Sequence, residues 1–506
     1  MEATLENIAE LLKNDIKVKV AGVDADGILR GKIMAKEKFL SSVESGFGFS
    51  SAVFGWDMHD ALFTNGVGMS SEGGGYADFT AVPDLTSYRR IPWENNIPFF
   101  LLHFLSQNKP VVACPRGMTK SIAKKLGQEN LKAWAGVELE FVNFQTPTED
   151  GYGPESSRPN LAKFLVNNSP KALRPLTEGM FGYSITRPIA SKDYFHDVFD
   201  SSAEFGCNVE GWHTESGPGV FEAALIVREV GEMADRASLF KLLTKSIGIG
   251  HGVTPCFMAK PLQGMPGNSG HIHVSLTDDA GKNLFAREQR NPSARWPDVE
   301  HLSDVGYHFL AGVLDALPDI MPMLAPTINS YKRFVENFWA PVAITWGNED
   351  RLSSIRLITP PVCKPSAVRL EIRIPGADLH PHYALSALFG AGLRGIQKKL
   401  EITVPPSSAR TVGDGKPTLL ANTLEKAVER FAAPASVARE IFEEGFVDFY
   451  AATRQHELRL WREAVTDCPR PWVFVTLCPG MAHYVFQRST KEVEENSMTG
   501  ESNLGN

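Results

Sequence analysis

The chain has 506 residues, 43% of them hydrophobic and 22% charged, which predicts a globular protein of two or three domains with a sizeable core. The formal net charge is −8 and there is no block of lysine and arginine, which argues against nucleic acid or an anionic membrane as a partner. Six scattered cysteines without a C-x-x-C pair are typical of free thiols in a reducing compartment. The sequence shows no secretory signal and no apolar run of about 18 residues, so we expect a cytoplasmic protein that does not span a membrane.

Residues 1–108 are predicted to form a small mixed α/β unit. A short amphipathic helix is expected at 4–13. Alternating segments at 17–23 and 28–35 flank Asp24-Ala25-Asp26-Gly27, which indicates a β-hairpin. Two further strands are expected at 76–82 and 98–105, after a glycine- and serine-rich stretch at 45–75.

Residues 109–487 are predicted to form a larger α+β domain, because strands and helices mix there without regular βαβ alternation. Helices are expected at 115–128, 419–431 and 437–465. The segment Cys468-Pro469-Arg470-Pro471 should break the last helix before an apolar run at 472–486, to which the sequence assigns no function. The polar residues 488–506 are predicted to be a disordered tail.

The segment 368–374, V-R-L-E-I-R-I, reads as a strand with charges on one face only. Arg369, Glu371 and Arg373 point to that face and the apolar residues to the other. Either the charges face water on an edge strand, or they meet a ligand. We favour the ligand, because a central strand seldom carries two cations and a carboxylate on one face without one.

Three other segments supply groups that could join this strand. The E-x-E of residues 137–141 places two carboxylates on one strand face. The H-T-E of residues 213–215 and Glu222 place two more around a glycine–proline loop. The glycine loop at 267–270 leads into an H-x-H strand. Taken separately, these could be a solvated edge, an ordinary acidic loop and a structural histidine pair. The candidate metal ligands are Glu138, Glu140, Glu215, Glu222, His271 and Glu371.

Five carboxylates and one imidazole, without a thiolate, favour Mg²⁺ or Mn²⁺ over zinc. Divalent cations beside arginines are the usual clamp on a transferring phosphoryl group. The sequence has no Walker A or kinase motif set, and Gly413-Asp414-Gly415-Lys416-Pro417 is predicted to be a turn. A nucleotide would therefore have to bind by another architecture.

Eight ordered blocks between about residues 15 and 465 resemble the glutamine synthetase family. They are E-x-E, H-x-E with its glycine loop and second glutamate, F-M-A-K-P, G-H-I-H-V-S-L, N-S-Y-K-R, A-P-V, D-R-x-S-S-I-R and R-L-E-I-R. The segment G-Y-A-D-F-T-A-V-P-D-L adds a match in the N-terminal unit. Any single block would be weak evidence, whereas the ordered set is specific.

The resemblance implies an α+β fold, with a small N-terminal β-grasp domain before a catalytic domain built on a curved antiparallel sheet. It also implies a homo-oligomer of stacked rings, with each active site between neighbouring subunits. In that family ATP phosphorylates the γ-carboxylate of glutamate and an amine then displaces the phosphate. ATP, Mg²⁺ or Mn²⁺, glutamate and an amine are therefore the expected ligands.

The resemblance also assigns roles residue by residue. One metal would be held by Glu140, Glu215 and Glu222, and the second by Glu138, His271 and Glu371. ATP would lie against Glu210, His273, Ser275, Arg356 and Arg369. The glutamate and the transferring phosphoryl group would lie against Arg333, Arg351 and Arg373, with His213, Gly267 and Trp339 also at the substrate, and Arg351, Arg373 and Asp57 would act in catalysis.

The chain departs from the family pattern at the flap that follows N-S-Y-K-R. Trp339 stands where glutamine synthetases have the glutamate that takes a proton from ammonium, and an indole cannot accept that proton. Glu336 could substitute for it. Pro266 replaces an asparagine in the glycine loop, and Asp57 is the nearest match to the ammonium-site aspartate.

These departures resemble the branch of the family that makes γ-glutamylamides from polyamines, ethanolamine or aromatic amines. An aromatic wall suits a larger or apolar amine, or a cation–π contact to an alkylammonium. Three hypotheses stand: a ligase for an amine other than ammonia, a glutamine synthetase that tolerates Trp339, and a non-catalytic structural member. The intact set of carboxylates and arginines argues against the third.

Overall fold

The computed structural model describes residues 2–63, 75–149, 151–153, 158–335, 340–411 and 416–464. Within these residues the chain folds into a smaller six-stranded sheet and a larger nine-stranded sheet, together with eleven α-helices. One continuous apolar core runs through both parts. The fold class is α+β, as the sequence predicts.

The smaller sheet is built from the first 110 residues. Its elements are α1 (Ile8–Leu11), β1 (Lys17–Val23), β2 (Leu29–Ala35), α2 (Lys36–Leu40), β3 (Phe47–Ser50), β4 (Asp78–Ile91), β5 (Ile97–Ser106) and β6 (Lys109–Pro110). The strand order is β2-β1-β5-β4-β3, and β6 also pairs with the last residues of β5. β1 and β5 are parallel and the other pairs are antiparallel.

The predicted hairpin of β1 and β2 is confirmed, with Lys17 opposite Ala35 and Val23 opposite Leu29. Its turn depends on Gly27, whose φ of 81° suits glycine. The helix predicted at 4–13 is wrong in length, since only Ile8–Leu11 is helical. The N–H of Thr4 donates to Asn7 Oδ1 at 2.8 Å, so local side-chain bonding favours a turn over the first residues.

The larger sheet has β7 at its centre. Its strands are β7 (Lys132–Gln145), β8 (Val209–Thr214), β9 (Val220–Leu225), β10 (Arg228–Glu229), β11 (Val253–Cys256), β12 (Ile272–Thr277), β13 (Trp346–Asn348), β14 (Ile355–Ile358) and β15 (Arg369–Ile372). The order is β13-β14-β15-β12-β7-β9-β8, and β10 and β11 also pair with β7. All pairs are antiparallel except that of β13 and β14.

Helices pack against this sheet and against one another and complete the core. They are α3 (Pro115–Gln128), α4 (Leu161–Asn167), α5 (Lys192–Glu204), α6 (Val230–Gly250), α7 (Asp304–Leu324), α8 (Pro381–Lys398), α9 (Leu424–Ala432), α10 (Ala438–Ile441) and α11 (Phe446–Glu463). α3 and α6 pack against β7, and α7 packs along α8. At Gly312 a Cβ atom would lie 2.4 Å from the carbonyl oxygen of Ala391, so the α7–α8 approach requires glycine there.

The C-terminal helices differ from the prediction. The segment predicted as one helix at 437–465 forms α10 and α11, separated where Gly445 adopts a φ of 85° and begins a new helix. The helix predicted at 419–431 begins only at Leu424, because the Thr423 side chain caps it by accepting the N–H of Lys426. The predictions for 468–487 and 488–506 lie outside the described residues.

Buried ion pairs join the N-terminal part to the rest of the chain. Arg454 on α11 bonds to Asp26 in the turn of the first hairpin. Arg116 on α3 bridges Asp84 of β4 and Asp235 of α6, at 2.9 and 2.8 Å. Each of these side chains is almost fully buried, so loss of one partner would leave an uncompensated charge.

Two simpler expectations can be compared with the described residues. Among them, Cys114, Cys207 and Cys363 carry free thiols. No helix there combines the length and the apolar character needed to cross a membrane. The limits of the predicted domains, 1–108 and 109–487, stay predictions.

Candidate active site

The charged groups predicted from the sequence share one face of the larger sheet. Glu138 and Glu140 of β7 alternate with Leu139 and Phe141, which are buried in the core on the other face. β12 and β15 contribute to the same face with the same period. Their residues there, counting the positions next to each strand, are His271, His273, Ser275, Arg369, Glu371 and Arg373.

Strand register arranges these side chains in two adjacent rows. Directly opposite residues on neighbouring strands have Cβ atoms about 5 Å apart, so their side chains touch. The first row crosses β14, β15 and β12, and the second crosses β8, β9 and β7. Their members are Arg356, Glu371 and His273 in the first row, and His213, Glu222 and Glu140 in the second.

Glu371 lies at the centre of the first row, with a side chain only 2% exposed. Its Oε2 accepts a hydrogen bond from Arg356 Nη1 at 2.9 Å, and its Oε1 accepts one from Arg373. His271 Nδ1 lies 3.6 Å from Oε1. Burial opposes ionisation, but the charges of His271 and Arg373 outweigh it and lower the pKa of Glu371 to about 2.

Glu138 connects the two histidines of β12. Its Oε1 lies 3.0 Å from His273 Nε2, and its Oε2 lies 3.3 Å from His271 Nδ1. Burial alone would raise the pKa of this carboxyl, but hydrogen bonds from His271 and His273 lower it well below its usual range. Glu138 is therefore ionised, and it is within ligand distance of both imidazoles.

The second row has an excess of negative charge. The pKa of Glu222 is raised to about 10, first by burial and then by the charges of Glu138, Glu140 and Glu215. The pKa of Glu140 is raised as well, chiefly by burial, although it accepts the N–H of Ser269 at 2.6 Å. Buried carboxylates that repel one another need a cation among them, so this donor set fits a divalent metal ion.

Within the part of the chain that the structure describes, two groups of side chains have ligand atoms within 4.8 Å of one another: Glu138, His273 and Glu371, and His213, Glu215 and Glu222. Both groups differ from the sets that the sequence resemblance implies, because His273 and His213 take the places of His271 and Glu140. His271 still lies close to both carboxylates of the first group. Oxygen-rich groups of this kind suit Mg²⁺ or Mn²⁺.

A family model described as the glutamine synthetase catalytic domain matches residues 112–473. The chain belongs to the glutamine synthetase family. Members of this family are ATP-dependent ligases that use divalent metal ions.

Relatives with different acceptors are similar over most of the chain. It is 39% identical over 475 residues to the type-1 glutamine synthetase 2 of Dictyostelium discoideum, covering 92% of this chain and 86% of the relative. It is 32% identical to the glutamate–isopropylamine ligase of a Pseudomonas species, covering 87% and 91%. It is 30% identical to the gamma-glutamylethanolamide synthetase GlnA4 of Streptomyces coelicolor, covering 89% and 90%.

Solved structures show the same fold at low sequence identity. A GmaS–ADP complex matches with a TM-score of 0.72 and 22% identity, over 91% of this chain and 97% of that one. A ligand-free GmaS also gives 0.72 and 22%, over 92% and 98%. The glutamine synthetase fold therefore extends through the N-terminal part of this chain.

Arg333, which is predicted to bind the substrate glutamate, is buried against the end of β15. Its Nη2 donates to the carbonyl oxygens of Arg373 and Pro375, at 3.0 and 2.9 Å, and to that of Ile374. Gly267 packs against it, since a Cβ atom there would lie 2.8 Å from Arg333 Cγ. Burial lowers the pKa of Arg333 to about 10. These contacts hold the chain that carries Arg373 in place.

At the end of β15, the two guanidinium groups of Arg333 and Arg373 each carry a buried N–H that needs an acceptor. Among the described residues, the Nε atoms of Arg333 and Arg373 have no hydrogen-bond partner although both are buried. Native proteins rarely leave such donors unpaired, so each is placed to donate to a ligand or to water. A carboxylate or phosphoryl oxygen would satisfy either donor.

The other predicted ATP ligands lie unevenly around the cluster. Arg369 Nε donates to His273 Nδ1 at 3.1 Å, so it orients that imidazole. Ser275 lies two positions further along the same face. Glu210 is exposed at the irregularity between Val209 and Gly211 of β8, and no hydrogen bond or ion pair among the described residues joins it to the cluster.

The predicted catalytic residues Arg351 and Asp57 form no hydrogen bond or ion pair with the two candidate metal groups among the described residues. Arg351 is exposed in the turn after β13. Asp57 is buried, and its Oδ2 lies 3.1 Å from His456 Nε2 on α11. The structure therefore pairs Asp57 within its own chain, and its predicted role at a neighbouring subunit stays a prediction. Trp339 and Glu336 lie outside the described residues.

Sequence reasoning missed two contacts of the cluster. Glu349 accepts hydrogen bonds from Arg356, at 3.1 Å for Nε, and so positions the guanidinium that also bonds to Glu371. Tyr183 stacks on His213, with ring centroids 4.4 Å apart and planes 3° apart. No motif marks either residue. The stacking depends on a backbone φ of 54° at Tyr183, which the sequence does not indicate.

Proposed function

We propose that the protein joins an organic amine to the γ-carboxylate of glutamate, with ATP and Mg²⁺ or Mn²⁺, through a γ-glutamyl phosphate intermediate. The observation that carries the proposal is the convergence of two carboxylate–imidazole groups and three arginines on one sheet face. ATP would transfer its γ-phosphoryl group to the glutamate carboxylate. The amine nitrogen would then attack the acyl carbon, lose a proton and release phosphate.

The chain's own residues supply the metal ligands. Glu138, His271 and Glu371 would hold one ion, and Glu215, Glu222 and His213 the other, with Glu140 beside them. Divalent ions bound there would neutralise charge on the nucleotide phosphates and on the transferring phosphoryl group. The raised pKa of Glu222 is consistent with this assignment, because burial near three other carboxylates disfavours its ionised form and a bound cation would stabilise that form.

The arginines would hold the anionic substrates. Glu371 fixes the guanidinium groups of Arg356 and Arg373, so both cations are already oriented before the negative charge develops. The unpaired Nε atoms of Arg333 and Arg373 are donors that the substrate carboxylate or phosphoryl oxygens could occupy. Exclusion of water by this buried arrangement would protect the acyl phosphate from hydrolysis.

The choice of an organic amine rests on the sequence and on two relatives. Trp339 replaces the glutamate that accepts a proton from ammonium in the family pattern. Two similar proteins are named for an isopropylamine substrate and for a gamma-glutamylethanolamide product. The alternative is ammonia, because another similar protein is a glutamine synthetase. A catalytically inactive member is the third candidate, although the complete ligand groups count against it.

One assay separates these three candidates. Phosphate release is measured with ATP, glutamate and Mg²⁺, and with isopropylamine, ethanolamine, a polyamine, an aromatic amine or ammonium as the acceptor. Release that is faster with an organic amine than with ammonium supports the proposal. Release at least as fast with ammonium supports the glutamine synthetase alternative, and no release with any acceptor supports the inactive member.

We also propose a cytoplasmic homo-oligomer of stacked rings, in which Asp57 contributes to a neighbouring subunit's site. Light scattering coupled to gel filtration tests the assembly: a mass of ten or more chains supports it, and a monomer contradicts it. Mixing inactive Asp57 and Glu371 variants tests the shared site. Partial recovery of activity on mixing supports it, because some sites would then receive intact residues from both subunits.

A further inference from the structure

A cavity of about 380 Å³ lies between the smaller sheet and helices α3, α10 and α11. Its walls are formed by β5 and β6, by one face of α3, and by the junction of α10 and α11. Among the described residues, none of those that line the cavity belongs to the candidate active site. The volume is in the range of small-molecule sites in proteins, and the proposed function gives the cavity no role.

The space exists because α3 carries a glycine where it faces the cavity. Gly117, Ser121 and Lys124 follow the helical period of α3 and all line the cavity. A Cβ atom at Gly117 would make only ordinary contacts, the nearest at 3.5 Å from Cys114 Cβ, so packing does not require glycine there. Glycine also weakens a helix relative to alanine. The missing side chain therefore leaves open a space that a larger residue would fill.

The lining combines apolar side chains with an excess of positive charge. Apolar side chains come from each of the three walls, among them Leu105, Met118 and Phe446. The charged residues of the lining are three lysines on α3 and one glutamate after α10: Lys120, Lys124, Lys125 and Glu443. Such a lining suits a ligand that has an apolar body and a negative charge.

Two of the three lysines remain available to a ligand. Lys120 Nζ lies 2.8 Å from Asp84 Oδ2, and Glu443 accepts a hydrogen bond from Ser121 Oγ at 3.4 Å. Lys124 and Lys125 are exposed, and in the part of the chain that the structure describes no carboxylate pairs with either. Their ammonium groups give the open side of the cavity its positive charge.

His103 adds an uncharged polar group to the wall. Burial, together with the charges of Lys120 and Arg116, lowers the pKa of His103 to about 4, so the imidazole is neutral at pH 7. Its Nδ1 is buried and has no hydrogen-bond partner among the described residues. Buried polar atoms are seldom left unpaired in native proteins, so this nitrogen is placed to bond to a ligand or to water.

We propose that the cavity binds a small carboxylate with an apolar body, of the class of medium-chain fatty acids, with its carboxylate beside Lys124 and Lys125. This binding site goes beyond the proposed function and does not depend on it. The apolar body would leave water, and the carboxylate would meet two unpaired ammonium groups. A neutral amphiphile would gain only the first of these contributions, and an alkylammonium ion would be repelled by the lysines.

Isothermal titration calorimetry of the full chain with octanoate tests the site. Three other ligands are compared at pH 7: butyrate, which has a shorter chain, octanol, which is neutral, and octyltrimethylammonium, which is cationic and has no N–H to react as an amine acceptor. Gly117→Leu fills the cavity, and Lys124→Gln combined with Lys125→Gln removes the two charges. The control is Lys163→Gln, because Lys163 is an exposed lysine on α4 that does not line the cavity.

We expect octanoate to bind at one site per chain, and butyrate at least about tenfold more weakly because fewer methylene groups are buried. Gly117→Leu should weaken octanoate binding at least about tenfold by occupying the space of the chain. The double lysine variant should bind octanoate about fivefold more weakly and octanol unchanged. Lys163→Gln should bind octanoate like the wild type, and all variants should keep the wild-type Tm and turnover.

Three results would overturn the proposal. The first is no saturable binding of octanoate by the wild type at millimolar concentration. The second is octanol or octyltrimethylammonium binding as tightly as octanoate. The third is an octanoate affinity that neither Gly117→Leu nor the double lysine variant changes, which would place the ligand elsewhere. If Gly117→Leu melted at a lower temperature, the lysine variant alone would decide, because it changes only exposed side chains. Phosphate release tests the proposed function separately, so either proposal can fail without the other.

Discussion

Replacing Glu371 by glutamine removes the one negative charge that both Arg356 and Arg373 contact. The carboxylate is buried, with the two guanidinium groups on its two oxygens and His271 at 3.6 Å. A glutamine amide has one oxygen and one nitrogen, so one of the two arginine donors would face an N–H₂ donor in place of a carboxylate oxygen. We expect Glu371→Gln to destabilise the fold and to impair metal binding and catalysis.

The loss of stability can be estimated from the pKa of this carboxyl. Burial raises that pKa, but the charges of His271 and Arg373 lower it further, to about 2 from an ordinary 4.5. At about 1.4 kcal/mol per pKa unit, the folded state favours the charged form by about 3 kcal/mol. Because the folded-state pKa is depressed, this contribution is complete above pH 4.5 and is lost as the pH falls towards 2. At pH 7 the full amount should disappear in the variant.

Thermal melting at pH 7 measures this effect. With an unfolding entropy of about 2.1 cal/mol/K per residue, a loss of about 3 kcal/mol lowers the Tm of a 506-residue chain by about 3 °C. We expect kcat/KM to fall at least about 100-fold, because a metal ligand is lost as well.

The matched control is Glu349→Gln. Glu349 also bonds to Arg356, but it is more exposed and contacts no other member of the cluster among the described residues. The Glu349→Gln substitution should lower the Tm by less than about 1 °C and leave the turnover rate within a few-fold of the wild-type rate. If Glu371→Gln melted like the wild type and kept turnover within threefold, the reasoning about the buried charge cluster would be wrong.

Three further predictions concern other parts of the chain. Burial raises the pKa of Glu457 to about 7, so the contribution of its protonated form to the free energy of unfolding is lost as the pH rises through 7. The Tm of Glu457→Gln should lie within about 1 °C of the wild-type Tm at pH 5 but about 3 °C above it at pH 8.5. A difference in Tm that stays constant with pH would contradict this. Gly267→Ala would place a Cβ atom 2.5 Å from the carbonyl oxygen of Ala259, so we expect a Tm about 2 °C lower and a higher KM for glutamate. The control is Gly127→Ala in α3, where a Cβ atom would enter open space. This variant should melt at or above the wild-type temperature. Trp339→Glu should raise kcat/KM for ammonium if the indole excludes ammonia; an unchanged amine preference in a panel assay would count against that role.

The strand that carries Glu371 could be predicted because side-chain direction along a strand alternates with period two. The same period places Glu138 and Glu140 together, and the hairpin of β1 and β2 follows from alternation around an Asp-Gly turn. These inferences use only neighbours in sequence. The ordered motifs of the family then predicted which distant segments come together in the site, and local patterns alone cannot predict this.

The finer geometry of the site depends on register and on contacts between distant segments. His213 faces Glu222 because of the register of β8 and β9, which shifts between Val209 and Gly211, and no local pattern marks that shift. The contacts of Arg333 with the carbonyl oxygens after β15 join residues 40 to 42 positions apart.

Two features of the backbone conformation were also not predicted from the sequence. The left-handed φ of Tyr183 is set by hydrogen bonds to Thr214, about 30 residues away, and not by its own side chain. The break between α10 and α11 could have been expected from Gly445, but the apolar periodicity on both sides favoured one continuous helix.

The central claim is that the acidic face of the larger sheet holds two divalent ions. Counting Mn²⁺ bound per chain, by equilibrium dialysis and by the electron paramagnetic resonance signal of free Mn²⁺, tests it most directly. We predict two ions per wild-type chain, and one in Glu371→Gln and in Glu222→Gln alike, because each variant removes a ligand from a different group. A wild-type chain that binds no Mn²⁺ at millimolar concentration, or variants that still bind two ions with unchanged affinity, would contradict the account.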